Sequence, residues 1–256
     1  MKKLFALLAS AALFATAYAA TPQVVAHRGF WKTPGSAQNS LRALQLADSI
    51  HAYGSEFDLW ITADDHIIAN HDVTVGDMVV ENSTLAQLQS VPLANGEVRP
   101  TLEQYLDAAK PMDTRLIIEI KPHQNKQQEA KLVTRTIAEV AKRGLQERAE
   151  YITFSPEALR RLIAEVPAGT PVYYLSGNMS PDELKAVGAA GADYHISAFR
   201  KHPTWIDDLH RLGLKVNVWT VDKPGDLIWC IDRGVDFITT NMPTLARTLI
   251  VTTPER

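Results

Sequence analysis

The sequence predicts an α/β fold: a single (β/α)8 TIM barrel with a small insertion after the second strand. Three observations carry that expectation. Eight short β-branched runs alternate with eight amphipathic stretches, the pattern of a parallel sheet with helical crossovers. Residues 20–256 are a length that one such barrel commonly fills. The first unit carries no G-x-G-x-x-G and no Walker loop, the phosphate loops that an open doubly wound sheet usually shows.

The chain opens on Lys2 and Lys3, then an apolar run, Leu4–Thr16, then Ala17-Tyr18-Ala19. A charged start, a short apolar run and a small-x-small site predict a secretory signal peptide over residues 1–19, cut after Ala19. Export follows, to the periplasm in a two-membrane cell. No later run is long and apolar enough to span a bilayer, so no stable membrane insertion is expected after cleavage. Strands are expected at Val24–His27, Glu56–Thr62, Arg115–Lys121, Tyr151–Phe154, Val172–Leu175, Tyr194–Ser197, Lys215–Thr220 and Phe237–Thr240. Helices are expected at Leu41–His51, Leu102–Ala109, Ala130–Arg143, Pro156–Glu165, Pro181–Ala189, Pro203–Leu212, Pro224–Asp232 and Leu245–Val251. Ser155-Pro156-Glu157 and Ser180-Pro181-Asp182 supply an N-cap, a proline at the first helical position and an early acid. Gly144, Gly191, Gly213 and Gly234 fall where helices should stop. Val73–Pro100 is too long for a simple connection and reads as an insertion over one end of the barrel. Cys230 is the only cysteine and sits on an apolar helix face, so stability should come from a large core. A formal net charge of −3 with both signs interspersed gives no reason to expect a nucleic-acid partner.

In a barrel the chemistry sits at the carboxyl ends of the strands, and here those ends are charged. The first strand ends in His27-Arg28. The second carries Glu56 and Asp58, two apart and therefore on one face. The third repeats the spacing with Glu119 and Lys121. Three converging carboxylates fit a hard divalent cation, Mg2+ or Ca2+. They equally fit ion pairs with Arg28 and Lys121 that close the barrel end. His71 favours the functional choice. If Asp64-Asp65 centres a hairpin, His71 stands opposite Asp58 and shares its face. Two histidines beside an acid cluster supply an acid and a base, and the cationic rim suits a phosphate. His51, His66, His123, His202 and His210 read as surface or helix positions, and His195 as core or rim. No G-x-S-x-G elbow is present, and two carboxylates on one strand are the wrong arrangement for a glycosidase.

In order along the chain, His27-Arg28-Gly29, Glu56-x-Asp58, His71-Asp72, Pro100-Thr101-Leu102-Glu103, Glu119-x-Lys121, Trp219-Thr220-Val221 and Thr240-Asn241-x-Pro243 resemble the glycerophosphodiester phosphodiesterase family. The resemblance implies metal-dependent hydrolysis of a glycerophosphodiester, a small-molecule substrate, to sn-glycerol 3-phosphate and an alcohol. It implies a divalent ion on Glu56, Asp58 and Glu119, and His27 and His71 as the acid–base pair. Arg28 and Lys121 would meet the phosphate, Asn39 would bind substrate, and Trp219 would lie near the glycerol pocket, although a core position also suits a tryptophan. The sequence departs from the family at Gln38-Asn39-Ser40, where Gln38 replaces the usual glutamate, and more mildly at Thr153-Phe154. Two other readings stay open: a phospholipase C- or D-like enzyme acting on lipid, and a non-catalytic periplasmic binding protein on the same barrel.

Overall fold

The computed structural model describes residues 21–252. The predicted signal peptide lies outside the described residues. Eight parallel strands close the barrel: β1 (Gln23–Ala26), β2 (Gly54–Ile61), β6 (Arg115–Ile120), β7 (Ala149–Thr153), β8 (Val172–Tyr174), β9 (Gly191–His195), β10 (Lys215–Trp219) and β11 (Phe237–Thr240). They run in chain order around the ring, and β1 closes it by pairing β11 on one side and β2 on the other. The expected strands are all present, shifted by at most three residues.

Helices α1 (Leu41–Ser49), α3 (Leu102–Ala109), α4 (Lys126–Lys142), α5 (Pro156–Glu165), α6 (Pro181–Val187), α7 (Ile196–Lys201), α8 (Trp205–Arg211), α9 (Pro224–Asp232) and α10 (Pro243–Thr252) cover the outside. The predicted caps form. The Ser155 hydroxyl accepts from the Ala158 N–H, and Ser180 builds a reciprocal capping box with Glu183. Helix α4 starts earlier than its apolar pattern suggested, because Asn125 caps a polar first turn by accepting from Gln127 and Gln128. Helix α7 was not anticipated. Its N-cap is the His195 imidazole, which accepts from the Ser197 N–H, a cap outside the usual Ser, Thr, Asp and Asn.

The main core lies between strands and helices, where Phe57 stacks on Tyr105 with centroids 4.0 Å apart. Fully burying a side chain of this size contributes about 1.5–3 kcal/mol. A second cluster, Val25, Ile117, Ile152, Tyr173 and Leu175, fills the barrel interior. Buried Glu150 plugs the amino-terminal end, accepting from Tyr53 Oη at 2.5 Å and from Arg115 Nε at 2.6 Å. Gly188 is the residue that stops α6, with a left-handed φ of 86°. Gly191, expected to do so, instead opens β9, where a Cβ would lie 2.0 Å from the Lys215 carbonyl oxygen.

The insertion folds as a two-stranded ribbon, β4 (Thr74–Val75) with β5 (Met78–Val79), a 3-10 turn at Val80–Asn82 and the short helix α2 (Leu85–Gln89). It is reached through β3 (Ile67–Ala69), which returns antiparallel along β2. The predicted hairpin register is one residue out. Leu59 pairs with Ala69 and Ile61 with Ile67, so Asn70, not His71, stands opposite Asp58. The reason is the turn. Thr62 N–H donates to the His66 carbonyl, leaving a three-residue loop in which Asp65 takes a left-handed φ of 67°, a conformation aspartate tolerates.

Candidate active site

Beyond Ala26 the chain leaves β1 through two left-handed residues, Arg28 with φ 57° and Gly29 with φ 75°. Glycine is required at the second, since a Cβ there would meet Ala43 Cβ at 2.6 Å. The turn points the Arg28 backbone N–H at Glu56, which accepts through Oε2 at 2.7 Å. Backbone held in this sparse region at a strand end is characteristic of functional sites.

Glu56, Asp58 and Glu119 are each buried and converge as their spacing predicts, with one oxygen from each within 4.8 Å of the others. Such a group could hold a metal ion. Glu56 Oε1 is buried with no hydrogen-bond partner among the described residues, so the acid cluster is incomplete without a further positive group. The ion pairs that the sequence also allowed are present. Lys121 Nζ lies 3.2 Å from Asp58 Oδ1 and 2.8 Å from Glu119 Oε1. They leave Glu56 uncompensated, and the donor set, all oxygen, fits a hard divalent ion.

The electrostatics follow from burial and crowding. Burial, then the charges of Asp58 and Glu119, push the Glu56 carboxyl well above its ordinary range. Burial and Asp58 push Glu119 up to about 8. Burial also raises Asp58, but Lys121, His71, Asn39 and Arg28 outweigh it and hold that carboxyl below its usual value. Lys121 is raised, because Asp58 and Glu119 overcome the burial that alone would lower it.

His27 Nε2 stands 4.0 Å from Glu56 Oε2. Its other nitrogen, Nδ1, is 2.9 Å from Asn241 Oδ1. The Asn241 amide is fixed by Asp222, to which it donates from Nδ2 at 2.8 Å and from its backbone N–H at 2.8 Å. Its oxygen therefore faces His27, and also accepts from Trp31 Nε1 at 2.8 Å. An amide oxygen only accepts, so His27 carries its proton on Nδ1 and presents the Nε2 lone pair to the site. Burial and the adjacent Arg28 charge push the His27 pKa down to about 4.

His71 reaches the same cavity despite the shifted register. Asn70 donates its backbone N–H to the Asp58 carbonyl at 3.0 Å, and its side chain donates to the Asp72 carbonyl at 2.6 Å. That local bend turns His71 inward, with Nδ1 2.7 Å from Asp72 Oδ1. Burial lowers its pKa, against the raising charge of Asp58.

His27, Arg28, Glu56, His71, Glu119 and Trp219 all line one cavity. Two expected substrate contacts are placed differently. Asn39 uses both ends of its amide on Asp58, donating to Oδ2 at 2.9 Å and accepting the Asp58 N–H at 3.2 Å, so it orients a carboxylate. Lys121 is gripped between Asp58 and Glu119. Arg28 remains available. One guanidinium nitrogen donates to the neutral Gln38 Oε1 at 2.6 Å, and the buried Nε has no hydrogen-bond partner among the described residues. Trp219 is not a core residue: its indole donates to the Asp193 carbonyl at 2.8 Å and its ring meets Phe154 edge-on at the cavity wall. His123, read from sequence as a surface position, is buried. It accepts the Ile61 N–H at Nε2 (3.2 Å) and pairs through Nδ1 with the Lys121 carbonyl at 2.7 Å, bridging the two strands that carry the acids.

Sequence reasoning missed Asp193, Asp222 and the role of Asn241. The motif around Asn241 was visible, but nothing in it tells that the amide backs His27. Asp193 could have been found from its spacing, two before His195 and thus on the same inward face of β9.

Oxygen ligands for a hard cation, two imidazoles and the Arg28 guanidinium, whose Nε lies 3.9 Å from Asp58 Oδ2, meet where a barrel does its chemistry, and together they suit a phosphoric diester hydrolase. The Glycerophosphoryl diester phosphodiesterase family matches residues 27–245, and the chain belongs to that family. It is 26% identical over 239 residues to a glycerophosphodiester phosphodiesterase of Caldanaerobacter subterraneus subsp. tengcongensis, covering 86% of this chain and 94% of the relative. A glycerophosphodiester phosphodiesterase structure from Parabacteroides distasonis superposes with a TM-score of 0.88 at 42% identity, covering 91% of this chain and 98% of the other. A phosphodiesterase of Oleispira antarctica, solved with the product sn-glycerol-3-phosphate, shares the fold with a TM-score of 0.78 at 22% identity, over 91% of this chain and 98% of the other.

Proposed function

We propose that the chain hydrolyses glycerophosphodiesters to sn-glycerol 3-phosphate and an alcohol, with His27 and His71 as the acid–base pair. One observation carries this reading: the buried convergence of Glu56, Asp58 and Glu119 in a cavity that two imidazoles share. Glu56, Asp58 and Glu119 would hold one divalent ion, Mg2+ or Ca2+. When bound, the ion supplies Lewis-acid polarisation of the phosphoryl group and offsets charge that grows on its oxygens.

The remaining work falls to the chain's own groups. Arg28, only loosely paired with Asp58 at 3.9 Å, brings its guanidinium to a non-bridging phosphate oxygen, and Lys121, held by two acids, adds fixed positive charge beside it. His27 rests neutral with a bare Nε2, so it takes the proton from the attacking hydroxyl. His71 has a carboxylate behind Nδ1 that works against the lowering of its pKa by burial, so of the two imidazoles it is the one placed to give a proton to the leaving alkoxide. Trp219 and Phe154 wall the apolar side of the cavity and limit water there.

The test is release of glycerol 3-phosphate from glycerophosphocholine and glycerophosphoethanolamine by purified protein, with Mg2+, with Ca2+ or with EDTA. Release that needs an ion is the expected result. No release with either ion refutes the proposal. We also propose export, supported by the signal-like residues 1–19 and tested by the N-terminal mass of the secreted chain, expected to begin at Ala20.

A further inference from the structure

Below the catalytic groups the cavity floor carries a polar residue that the reaction does not use. Asp193 sits on β9 beside Asn217 on β10, its registered neighbour, and Thr239 follows on β11. All three are buried. Asn217 and Thr239 satisfy each other: Asn217 Nδ2 donates to the Thr239 hydroxyl at 2.9 Å, and that hydroxyl lies 3.2 Å from Asn217 Oδ1. Asp193 takes a side-chain hydrogen bond from Asn217 as well, yet one of its oxygens stays unpaired. It is 1% exposed, it lines the cavity, and its Oδ1 has no hydrogen-bond partner among the described residues.

A buried carboxyl oxygen without a partner is costly. A carboxyl retained for stability would be paired, as Glu150 is at the opposite end of the barrel. Around Asp193 the floor is apolar, formed by Ile152 and Leu175 with Trp219 above. Asn217 satisfies one part of the carboxyl, and the partner that Oδ1 lacks can come from what enters the cavity. Its chemistry can be narrowed. A phosphate is excluded by a carboxyl that lies under Glu119. Burial and the Glu119 charge push the Asp193 pKa well above its ordinary value, against the lowering bond from Asn217. The unpaired oxygen accepts from an alcohol, and the apolar walls around it suit that uncharged donor better than an ammonium group, whose full charge would be costly to bury there. The reach also fits. Asp193 lies two residues below His195 along the strand, about 7 Å beneath the rim, within the span of a short polyol arm whose phosphate stays with Arg28.

We propose that Asp193 is a specificity-determining residue that hydrogen-bonds a hydroxyl of the substrate's glycerol arm at the cavity floor. The proposal rests on the phosphodiesterase reading above and adds to it which end of the diester goes down. A glycerol arm would complete the unpaired carboxyl. An arm without the hydroxyl would leave it unpaired and be rejected for that reason.

The experiment is calorimetric titration of sn-glycerol 3-phosphate, n-propyl phosphate and phosphoethanolamine into the Mg2+-supplemented protein, with a parallel Ca2+ series. Binding to product and analogue is independent of turnover. Wild type should prefer glycerol 3-phosphate over propyl phosphate by about tenfold to a hundredfold. Asp193→Leu, which keeps the branching at Cγ without polar atoms, should lose about tenfold of that preference with propyl phosphate affinity little changed. Asp193→Asn, which still donates and accepts, should keep it within about threefold. Equal binding of the two ligands by wild type overturns the inference without any variant, so it survives a failure of Asp193→Leu to fold as a testable claim. An unchanged preference in Asp193→Leu overturns it too, as does a loss confined to phosphoethanolamine. Wild type that hydrolyses diesters while failing these tests removes only the Asp193 role. Wild type that neither turns over nor binds glycerol 3-phosphate removes the proposed reaction as well.

Discussion

Glu119→Gln separates the metal-site reading from the alternative in which the acids only close the barrel. Glu119 is buried, and its carboxyl, ordinarily near 4.5, is pushed up to about 8. The folded metal-free protein then binds more protons than the unfolded chain, so stability is full below the unfolded value and is lost as pH rises through the folded one. Between about pH 7 and about pH 8.5 the unfolded glutamate is already ionised while the folded one is still losing its proton, a loss of about 1 kcal/mol. His27, lowered to about 4, acts in the opposite sense, but its unfolded imidazole is mostly neutral by pH 7, so it offsets only about 0.2 kcal/mol. An amide cannot titrate, so the Glu119→Gln variant should lose the Glu119 share of this slope, while the raised Glu56 and Asp193 carboxyls keep theirs. Ion binding should act in the opposite sense. At a concentration one hundred times Kd, a ligand adds about 2.7 kcal/mol, or roughly 5–10 °C in Tm for a domain of this size. Replacing one of three carboxylates by an amide should weaken the ion at least about tenfold, removing about 1.4 kcal/mol of that gain. Thermal unfolding with EDTA, Mg2+ or Ca2+ at both pH values reads both effects. A Glu119→Gln protein with the full wild-type rise in Tm on adding the ion, or a wild type with no rise, would refute the assignment.

Three further outcomes follow from contacts already described. His27→Ala and His71→Ala should each lower kcat by about a hundredfold to ten-thousandfold while leaving Tm nearly unchanged, and a near-normal rate in either would remove that residue from the acid–base pair. Gln38→Glu should turn the 2.6 Å contact to Arg28 into a charge-assisted pair, raising KM by about threefold or more as the guanidinium is neutralised; steady-state kinetics showing a lower KM would contradict this. Gly191→Ala places a Cβ 2.0 Å from a backbone oxygen of the adjacent strand, so it should cost about 3 kcal/mol or more; a melting temperature within a few degrees of wild type would disprove the clash.

The barrel was legible because its rhythm is local. Each strand is a short apolar run, and each helix carries its own cap or breaker. The acid triad was legible for the same reason: Glu56 and Asp58, like Glu119 and Lys121, share a face through strand period alone. What failed was whatever depended on a turn or a partner distant in sequence. His71 was placed in the site by a hairpin register that is wrong by one, because a left-handed aspartate makes the loop three residues rather than two. It arrives there through the Asn70 bend instead. Asn39 was assigned to substrate, yet its amide is committed to Asp58, 19 positions on. His123 gave no sign of being buried, since its two partners are backbone groups on different strands. The Asp222–Asn241–His27 chain joins residues up to 214 positions apart, and no spacing rule connects them.

The charges around the cavity explain why these groups occur together. With all three acids ionised, Glu56, Asp58 and Glu119 outnumber the two cations Arg28 and Lys121. That would leave a single net negative charge, unfavourable to a phosphodiester monoanion; without an ion, the raised pKa values of Glu56 and Glu119 relieve it by protonation. Lys121 is already gripped by two of the acids, so it does little to reverse the sign at the cavity mouth. A divalent cation on the triad turns the same set to a single net positive charge and makes the diester welcome. Ion affinity and substrate affinity are therefore coupled, each raising the other. Gln38 bears on the same balance. A glutamate there, as the family more often has, would start the site one charge more negative and would hold Arg28 as an ion pair. The amide keeps Arg28 oriented while leaving its charge for the phosphate, so the departure at position 38 shifts the site toward anion binding without touching a carboxylate of the triad.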